Sequence, residues 1–237
     1  MKKLIAVLLL TPGIALAQHS HGAAMPSVDM RAMASHMEIT PKRPANDADS
    51  TRAAHLVTDL RTAIGKYRDV RIAVDDGYRQ FAPQIKDQRI YHFTNYKRAF
   101  ANAFRFNPGK PTSLLYRKDE KGSFVLVGAM FTAPRRFSAD KLDARVPLSV
   151  AQWHKHINWC LPPKGQQERW TEQRNGRPVF GPLGVSTKAE CESAGGRFEK
   201  EVFGWMVHAN VFASDDPKII WGDEHQMSGD EMMDHRH

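Results

Sequence analysis

The segment QWHKHINWC, residues 152–160, places two histidines two positions apart and ends at one of only two cysteines. Its large apolar residues predict a β-strand, and side chains alternate between the two faces of a strand. His154 and His156 therefore share one face, while Trp153 and Trp159 lie on the other. Paired imidazoles on one face can bind a metal ion, form a polar pocket or simply face water, as in ordinary half-exposed sheets.

Two more predicted strands carry histidine in the same way. In FGWMVHANVF, residues 203–212, His208 shares a face with Met206, and in IYHFTN, residues 90–95, His92 lies opposite Tyr91 and Phe93. A solvated face would more often carry Lys, Glu, Thr or Ser, so histidine on three strands favours a shared pocket.

A metal site is the chemistry that this pattern predicts. Residues i and i+2 of a strand lie about 6–7 Å apart, which lets two imidazoles reach one ion at roughly 2.0–2.1 Å. We predict His154, His156 and His208 as ligands and His92 as a fourth ligand or neighbour. Met206, Asn158 and Asn210 are candidate axial or outer-shell residues. The alternatives are a hydrogen-bonded pocket without metal and plain surface histidines.

The two ends of the chain suggest which metal is bound. Imidazole and thioether groups together are suited to Cu(I) and Cu(II), so copper is favoured, with zinc or iron as alternatives. Histidine and methionine are concentrated in two low-hydrophobicity segments, 18–46 and 223–237, which we predict to be disordered. The predicted tail ligands are His19, His21, His36, His225, His235 and His237, beside Met25, Met30, Met33, Met37, Met227, Met232 and Met233.

Residues 1–17 have the composition of a secretory signal peptide. A basic start is followed by an apolar run and by small residues at Ala15 and Ala17, which predicts cleavage after Ala17. The run is shorter than the roughly 20 apolar residues of a membrane span, and no later stretch approaches that length. We therefore expect a periplasmic or secreted protein without a membrane span after cleavage.

The cysteine count fits export. Cys160 and Cys191 are the only cysteines, and an even pair in an oxidising compartment predicts a disulfide. A metal-bound thiolate or a nucleophile is the alternative. The formal charge is +8, with basic and acidic residues interspersed, and no nucleic-acid-binding motif is present.

The elements that must position the histidines belong to one domain, residues 47–222. Apolar residues at helical spacing predict a long amphipathic helix over 49–75, and shorter helices are predicted at 96–104 and 186–196. Residues 161–185 are rich in Pro, Gly and Gln and predict a long loop. Strands are predicted at 90–96, 112–117, 123–132, 149–160 and 203–212. The predicted fold is α+β: the long helix packs on an antiparallel sheet or partial β-barrel.

Several of these segments resemble a family of secreted bacterial proteins without an established function. The resemblance runs from Asp76 to Phe212, leaves out both tails, and implies one compact domain but no activity. It is carried by YHFTN (91–95), PTSLLY (111–116), LVGAMFTAP (126–134), VPLSVAQWHKHINWC (146–160) and GWMVH (204–208).

The sequence thus predicts an exported metal-binding protein, with copper as the favoured ion. A metal-dependent oxidoreductase or hydrolase that uses the same histidines is the alternative, so catalysis is left open. The sequence has no Gly-x-Ser-x-Gly, His-Glu-x-x-His or phosphate-loop motif, and it identifies no catalytic residue.

Overall fold

The computed structural model describes residues 35–86 and 88–222. The predicted signal peptide, residues 1–17, lies outside this part of the chain. So do residues 18–34 of the predicted N-terminal tail and the whole C-terminal segment 223–237. The predicted tail ligands His19, His21, His225, His235 and His237 therefore lie outside the described residues.

The first helical region is divided into three parts. Helix α1 (Asp47–Ile64) is followed by a 3-10 helix (Gly65–Arg68) and by helix α2 (Val70–Asp75). Asn46 caps α1, and Asp69 starts α2 by accepting a hydrogen bond from the Arg71 amide. The prediction of one continuous helix over 49–75 is therefore wrong, because Asp69 adopts an extended conformation and caps a new helix.

The strands form a mixed helix-and-sheet fold in which every pairing is antiparallel, which confirms the predicted class. The strands are β1 (Met37–Ile39), β2 (Arg79–Gln80), β3 (Tyr91–Thr94), β4 (Ser113–Lys118), β5 (Phe124–Ala133), β6 (His154–Leu161), β7 (Gln173–Arg174), β8 (Arg177–Pro178), β9 (Arg197–Glu201) and β10 (Trp205–Ala209). The main sheet has the order β1-β6-β10-β5-β4-β3-β2, with β9 paired to β6, and β7 pairs with β8 separately.

Four more helices lie between these strands or after the last of them. They are α3 (Tyr96–Phe104), α4 (Ala139–Asp143), α5 (Lys188–Ser193) and α6 (Pro217–Ile220). The structure confirms helices in the predicted segments 96–104 and 186–196, the second capped by Thr187. The predicted loop 161–185 is more ordered than expected, since it contains a 3-10 helix (Gln167–Thr171) and the β7–β8 hairpin.

The main sheet buries apolar side chains on both faces. On one face, α1 residues such as Leu60 and Ile64 join a core with Trp153, Trp205 and Val207. The other face carries a smaller apolar cluster of Ile90, Leu115, Val127, Met130 and Met206, against which Phe203 packs. The histidine-bearing positions of β6 and β10 alternate with the residues of the α1 core.

Residues 35–46 belong to the folded domain, which corrects the predicted extent of the N-terminal tail. β1 pairs along β6, with Ile39 opposite His154. The Thr40 amide donates to the Trp153 carbonyl at 2.8 Å, and Thr40 Oγ1 accepts from the Trp153 amide at 3.0 Å. The tail prediction failed here because three residues of β1 are too few to show strand periodicity.

The predicted disulfide is present. Cys160 at the end of β6 is bonded to Cys191 in α5, and the two Cα atoms are 5.4 Å apart. Both cysteines are buried with Val179, Phe180 and Ala194. The bond thus attaches α5 and the 161–185 segment to the strand that carries His154 and His156.

Among the described residues, no helix is both long and apolar enough to cross a membrane.

Candidate metal centre

Four histidine rings follow one another across the sheet. The rings of His154 and His208 have centroids 5.1 Å apart, and His154 and His156 are separated by 5.5 Å. His92 extends the row, with its centroid 5.5 Å from that of His208. The structure therefore brings all four predicted histidines together, in a row rather than around one point.

The centre of the row is its most buried part. His154 is 1% exposed and His208 is 5% exposed, whereas His92 and His156 at the ends are half-buried. An apolar, water-poor surrounding limits the access of solvent to a metal ligand. The His154–His208 pair is therefore the best-shielded position for an ion on this face.

The strand register places a methionine beside each of these two histidines. Met206 in β10 lies opposite His154 in β6, and Met130 in β5 lies opposite His208. Both methionines are buried and belong to the apolar cluster on this face. Two imidazoles and two thioethers thus occupy adjoining positions on three neighbouring strands.

Aromatic side chains surround the outer end of the row. The His156 ring lies 5.0 Å from the Trp159 ring, measured between centroids, and 6.3 Å from the Phe203 ring. Phe203 in turn contacts Phe81, whose amide donates to the His92 carbonyl at 2.7 Å. Apolar rings next to the histidines lower the local dielectric and strengthen any polar interaction made there.

Strand alternation explains why these histidines are held together. Lys155, between the two histidines, points to the other face, where its ammonium lies 3.0 Å from a Glu38 carboxylate oxygen and 3.4 Å from one of Glu201. The same group sits 4.5 Å above the Trp205 ring. These contacts fix the orientation of β6, because a slip of one residue would exchange Lys155 with a histidine.

Two predicted outer-shell residues form hydrogen bonds with the main chain. Asn158 has a positive φ of 55°, which turns it out of regular strand geometry, and its side-chain amide donates to the Ser35 carbonyl. The Asn210 side-chain amide donates to the Gly222 carbonyl at 3.1 Å, so it holds the segment after α6. Both side-chain amides thus bind main-chain oxygens, and an outer-shell role for Asn158 and Asn210 stays a prediction.

The remaining described histidines lie elsewhere. His55 is exposed on α1. His36, predicted as a tail ligand, is almost fully buried, and its Nε2 lies 2.9 Å from the Gly184 carbonyl oxygen. This prediction is corrected because His36 precedes β1 directly and is packed into the domain with it.

Residues 35–86 and 88–222 contain no group of three or more His, Cys, Asp and Glu side chains arranged to hold a metal ion. The position between His154 and His208 has two such side chains, and a methionine lies opposite each of them in the strand register. Met130 was missed by sequence reasoning, because its place beside His208 depends on strand register. Its only sequence signal is its place in the apolar strand SFVLVGAMFT.

No family model matches the chain, and neither does any curated protein or solved structure. The resemblance carried by the YHFTN and WHKHINWC segments therefore stays a prediction. The candidate function therefore rests on the side chains of the domain.

Proposed function

We propose that this chain is an exported metal-binding protein that handles copper. The ion is held between β6 and β10 by His154 and His208, with Met206 and Met130 as thioether ligands. His156 and His92 flank this site at the two ends of the histidine row. The observation that carries the proposal is the buried His154–His208 pair with a methionine opposite each histidine.

The ring spacing supports a shared ion. Two imidazoles that bind one tetrahedral ion at about 2.0–2.1 Å place their centres on the order of 5 Å apart. The His154 and His208 centroids are 5.1 Å apart. Small rotations of the two rings can direct a nitrogen of each toward a common point without movement of the strands.

The neighbouring residues support copper in particular. Thioethers are soft ligands that bind Cu(I) much better than they bind zinc, whereas imidazole accepts both ions. The residues opposite the two histidines are methionines rather than carboxylates or water-exposed polar groups. An apolar setting also favours Cu(I), because it carries less charge than Cu(II).

Two observations support export. The disulfide between Cys160 and Cys191 is the kind of bond that persists in oxidising compartments. The first 17 residues have the composition of a signal peptide. In such a compartment free thiols are oxidised, and methionine and histidine are the ligands that remain available for Cu(I).

The proposal is tested by competition between the untagged full chain and a chromogenic Cu(I) chelator. His154→Phe and His208→Phe keep the volume of the ring and remove its nitrogens. Loss of a residue that only supports a metal ligand already costs about 10–100-fold in metal affinity. Loss of a ligand should cost more, so the tightest Cu(I) site of each variant should be weakened at least ~100-fold. Met206→Leu should weaken Cu(I) binding but leave Cu(II) binding nearly unchanged.

The matched control is His55→Ala, which removes an exposed histidine from α1. It should leave the tightest site unaltered, and thermal melts of all variants should show that the domain remains folded. Unchanged Cu(I) affinity in both phenylalanine variants would rule out the His154–His208 site.

A further inference from the structure

Helix α3 exposes its apolar side to solvent. Tyr96, Phe100 and Phe104 recur every four residues on one side of the helix and are 68%, 70% and 74% exposed. The rings of Phe100 and Phe104 contact each other with centroids 5.2 Å apart. We call these three residues the aromatic stripe. A helix that packs on a core normally turns such a stripe inward.

Hydrogen bonds on the polar side of α3 fix this orientation. Arg98 donates to the hydroxyl groups of Tyr78 and Tyr67 at 2.5 and 3.1 Å. The buried Asn102 side-chain amide donates to the Lys110 carbonyl at 3.0 Å, and the Asn95 side-chain amide donates to the Asp76 carbonyl at 2.9 Å. Rotation of the helix to bury the aromatic stripe would break these bonds and leave buried polar groups unpaired.

The Tyr78 hydroxyl remains a neutral hydrogen-bonding group in this arrangement. Burial raises the pKa of Tyr78 well above its ordinary value, and burial outweighs the opposing effect of Arg98. Tyr67 is also buried, and its hydroxyl donates to Asp76 at 2.6 Å. The contact between Arg98 and the two tyrosines is therefore a structural anchor for α3 rather than a reactive centre.

The chain segment that contains the aromatic stripe is free of acidic residues. From residue 88 to residue 118 the sequence has no Asp or Glu, although acidic residues are common elsewhere. Lys97 and Arg105 are exposed on α3 and immediately after it. This combination of aromatic and cationic groups complements an anionic surface with an apolar interior. The basic residues of the segment are Arg89, Lys97, Arg98, Arg105, Lys110, Arg117 and Lys118.

We propose that α3 docks this protein on an anionic lipid bilayer, with the aromatic stripe among the headgroups. Tyr and Phe lie at the boundary between headgroups and acyl chains, and lysine and arginine beside them pair with lipid phosphates. The area of the stripe fits this partner. Three aromatic side chains at these exposures offer on the order of 400 Å², well below the ~800 Å² per partner of a stable protein interface.

The experiment is cosedimentation of the full chain with vesicles of phosphatidylcholine alone or mixed with phosphatidylglycerol. The wild-type protein should bind the phosphatidylglycerol vesicles at low salt and be released by high salt. The triple variant Tyr96→Ser, Phe100→Ser, Phe104→Ser should bind at least tenfold more weakly. These side chains are exposed, so the thermal melt of the variant should match that of the wild type.

Two controls distinguish binding by the aromatic stripe from nonspecific hydrophobic adsorption and from electrostatic attraction alone. The variant Val125→Thr with Leu183→Ser removes exposed apolar groups elsewhere and should bind like the wild type. The variant Lys97→Glu with Arg105→Glu should lose the preference for phosphatidylglycerol. A further variant, Phe100→Trp, adds a sixth tryptophan, and the emission that it adds relative to the wild type should shift to shorter wavelength on vesicle addition and be quenched by brominated lipid.

Three outcomes would overturn the proposal. One is equal vesicle binding by the wild type and the triple variant, and another is that brominated lipid quenches the vesicle-bound Phe100→Trp variant no more than the wild type. The third is a wild-type dimer, in light scattering without vesicles, that the triple variant dissociates, because the stripe would then be an interface between two copies. Copper binding by the full chain is independent of all three results.

Discussion

At the scale of single residues, the alternation of side chains along a strand predicts the placement of His154 and His156. The polar spacing of QWHKHINWC was enough to predict that both histidines share a face, and the ring contacts agree with it. The contribution of Met130 was out of reach, because strand register is set by pairings between distant segments. Asn158 has a positive φ that interrupts the alternation, and the sequence carries no sign of that.

The disulfide yields a prediction at the same scale. The variant Cys160→Ala with Cys191→Ala should lose about 3 kcal/mol of unfolding free energy, since the bond closes a loop across 31 residues. Chemical denaturation should show this loss in the absence of reductant. Reductant should destabilise the wild type strongly and the double variant very little, and an equal effect on both would contradict the prediction.

Gly196 belongs to the same disulfide site. A Cβ atom at this position would lie 2.4 Å from Cys160 Sγ and 2.9 Å from Cys191 Sγ. The close approach of the Gly196 main chain to the two sulfur atoms requires glycine, because a residue with a Cβ atom would not fit there. Gly195 before it has a positive φ of 70° at the end of α5, and Gly196 makes room for the disulfide.

At the scale of elements, the sequence predicts the helix α3 but not its orientation, and it does not predict the strand β9. The spacing of Tyr96, Phe100 and Phe104 predicted a helix correctly, but the outward direction of the stripe depends on tertiary hydrogen bonds made by Arg98 and Asn102. Strand β9 was not predicted, because RFEKE is mostly charged and has no run of β-branched residues. It pairs with β6 nonetheless, through main-chain hydrogen bonds that are independent of side-chain type.

Arg43 connects α1 with α4 and gives a pH-dependent prediction. Its guanidinium donates to Asp49 in α1 and to Asp143 in α4, and these contacts lower the pKa values of both carboxyl groups. A lowered carboxylate pKa contributes stability that is present above the ordinary value of about 3.9 and is lost as pH falls through the folded-state value. Arg43→Met should therefore lower the Tm at pH 7, and the difference from the wild type should narrow as the pH is lowered below about 4.

The control for Arg43 is Arg71→Met, which breaks the exposed ion pair between Arg71 and Asp69. Exposed pairs contribute little to stability, so its Tm should stay close to that of the wild type at every pH. Thermal melts between pH 3 and pH 7 measure both variants. A constant Tm difference for Arg43→Met across this range would show that packing, rather than the two carboxylates, explains the effect.

At the scale of the whole molecule, the folded domain includes residues 35–46, which composition alone assigns to a disordered tail. Deletion of residues 18–34 keeps β1, the buried His36 and Arg43, so the domain should still fold. Deletion of residues 18–46 should unfold the domain or lower its Tm markedly. It removes β1, the buried His36 and Arg43 together. Circular dichroism melts of the two variants compare these outcomes directly, and equal stability would contradict the pairing of β1 with β6.

Deletion of both terminal segments tests whether they bind copper in addition to the folded site. Removal of residues 18–34 and 223–237 takes away five histidines and six methionines: His19, His21, His225, His235, His237, Met25, Met30, Met33, Met227, Met232 and Met233. The total copper bound per chain should fall, while the tightest Cu(I) site keeps its affinity. Metal analysis with chelator competition measures both quantities, and a lost tight site would assign it to the tails.

The pairing of β1 with β6 also sets the order in which this protein can fold. Gln152 and Thr40, which are hydrogen-bonded, stand 112 residues apart in the chain. β1 is made first, yet its partner strand appears only after about two thirds of the polypeptide has been synthesised. Contacts between such distant segments slow folding, because a long loop must close before they form. The edge of the sheet beside His154 is therefore expected to assemble late, and a nascent chain has no complete row of histidines until His208 has been made.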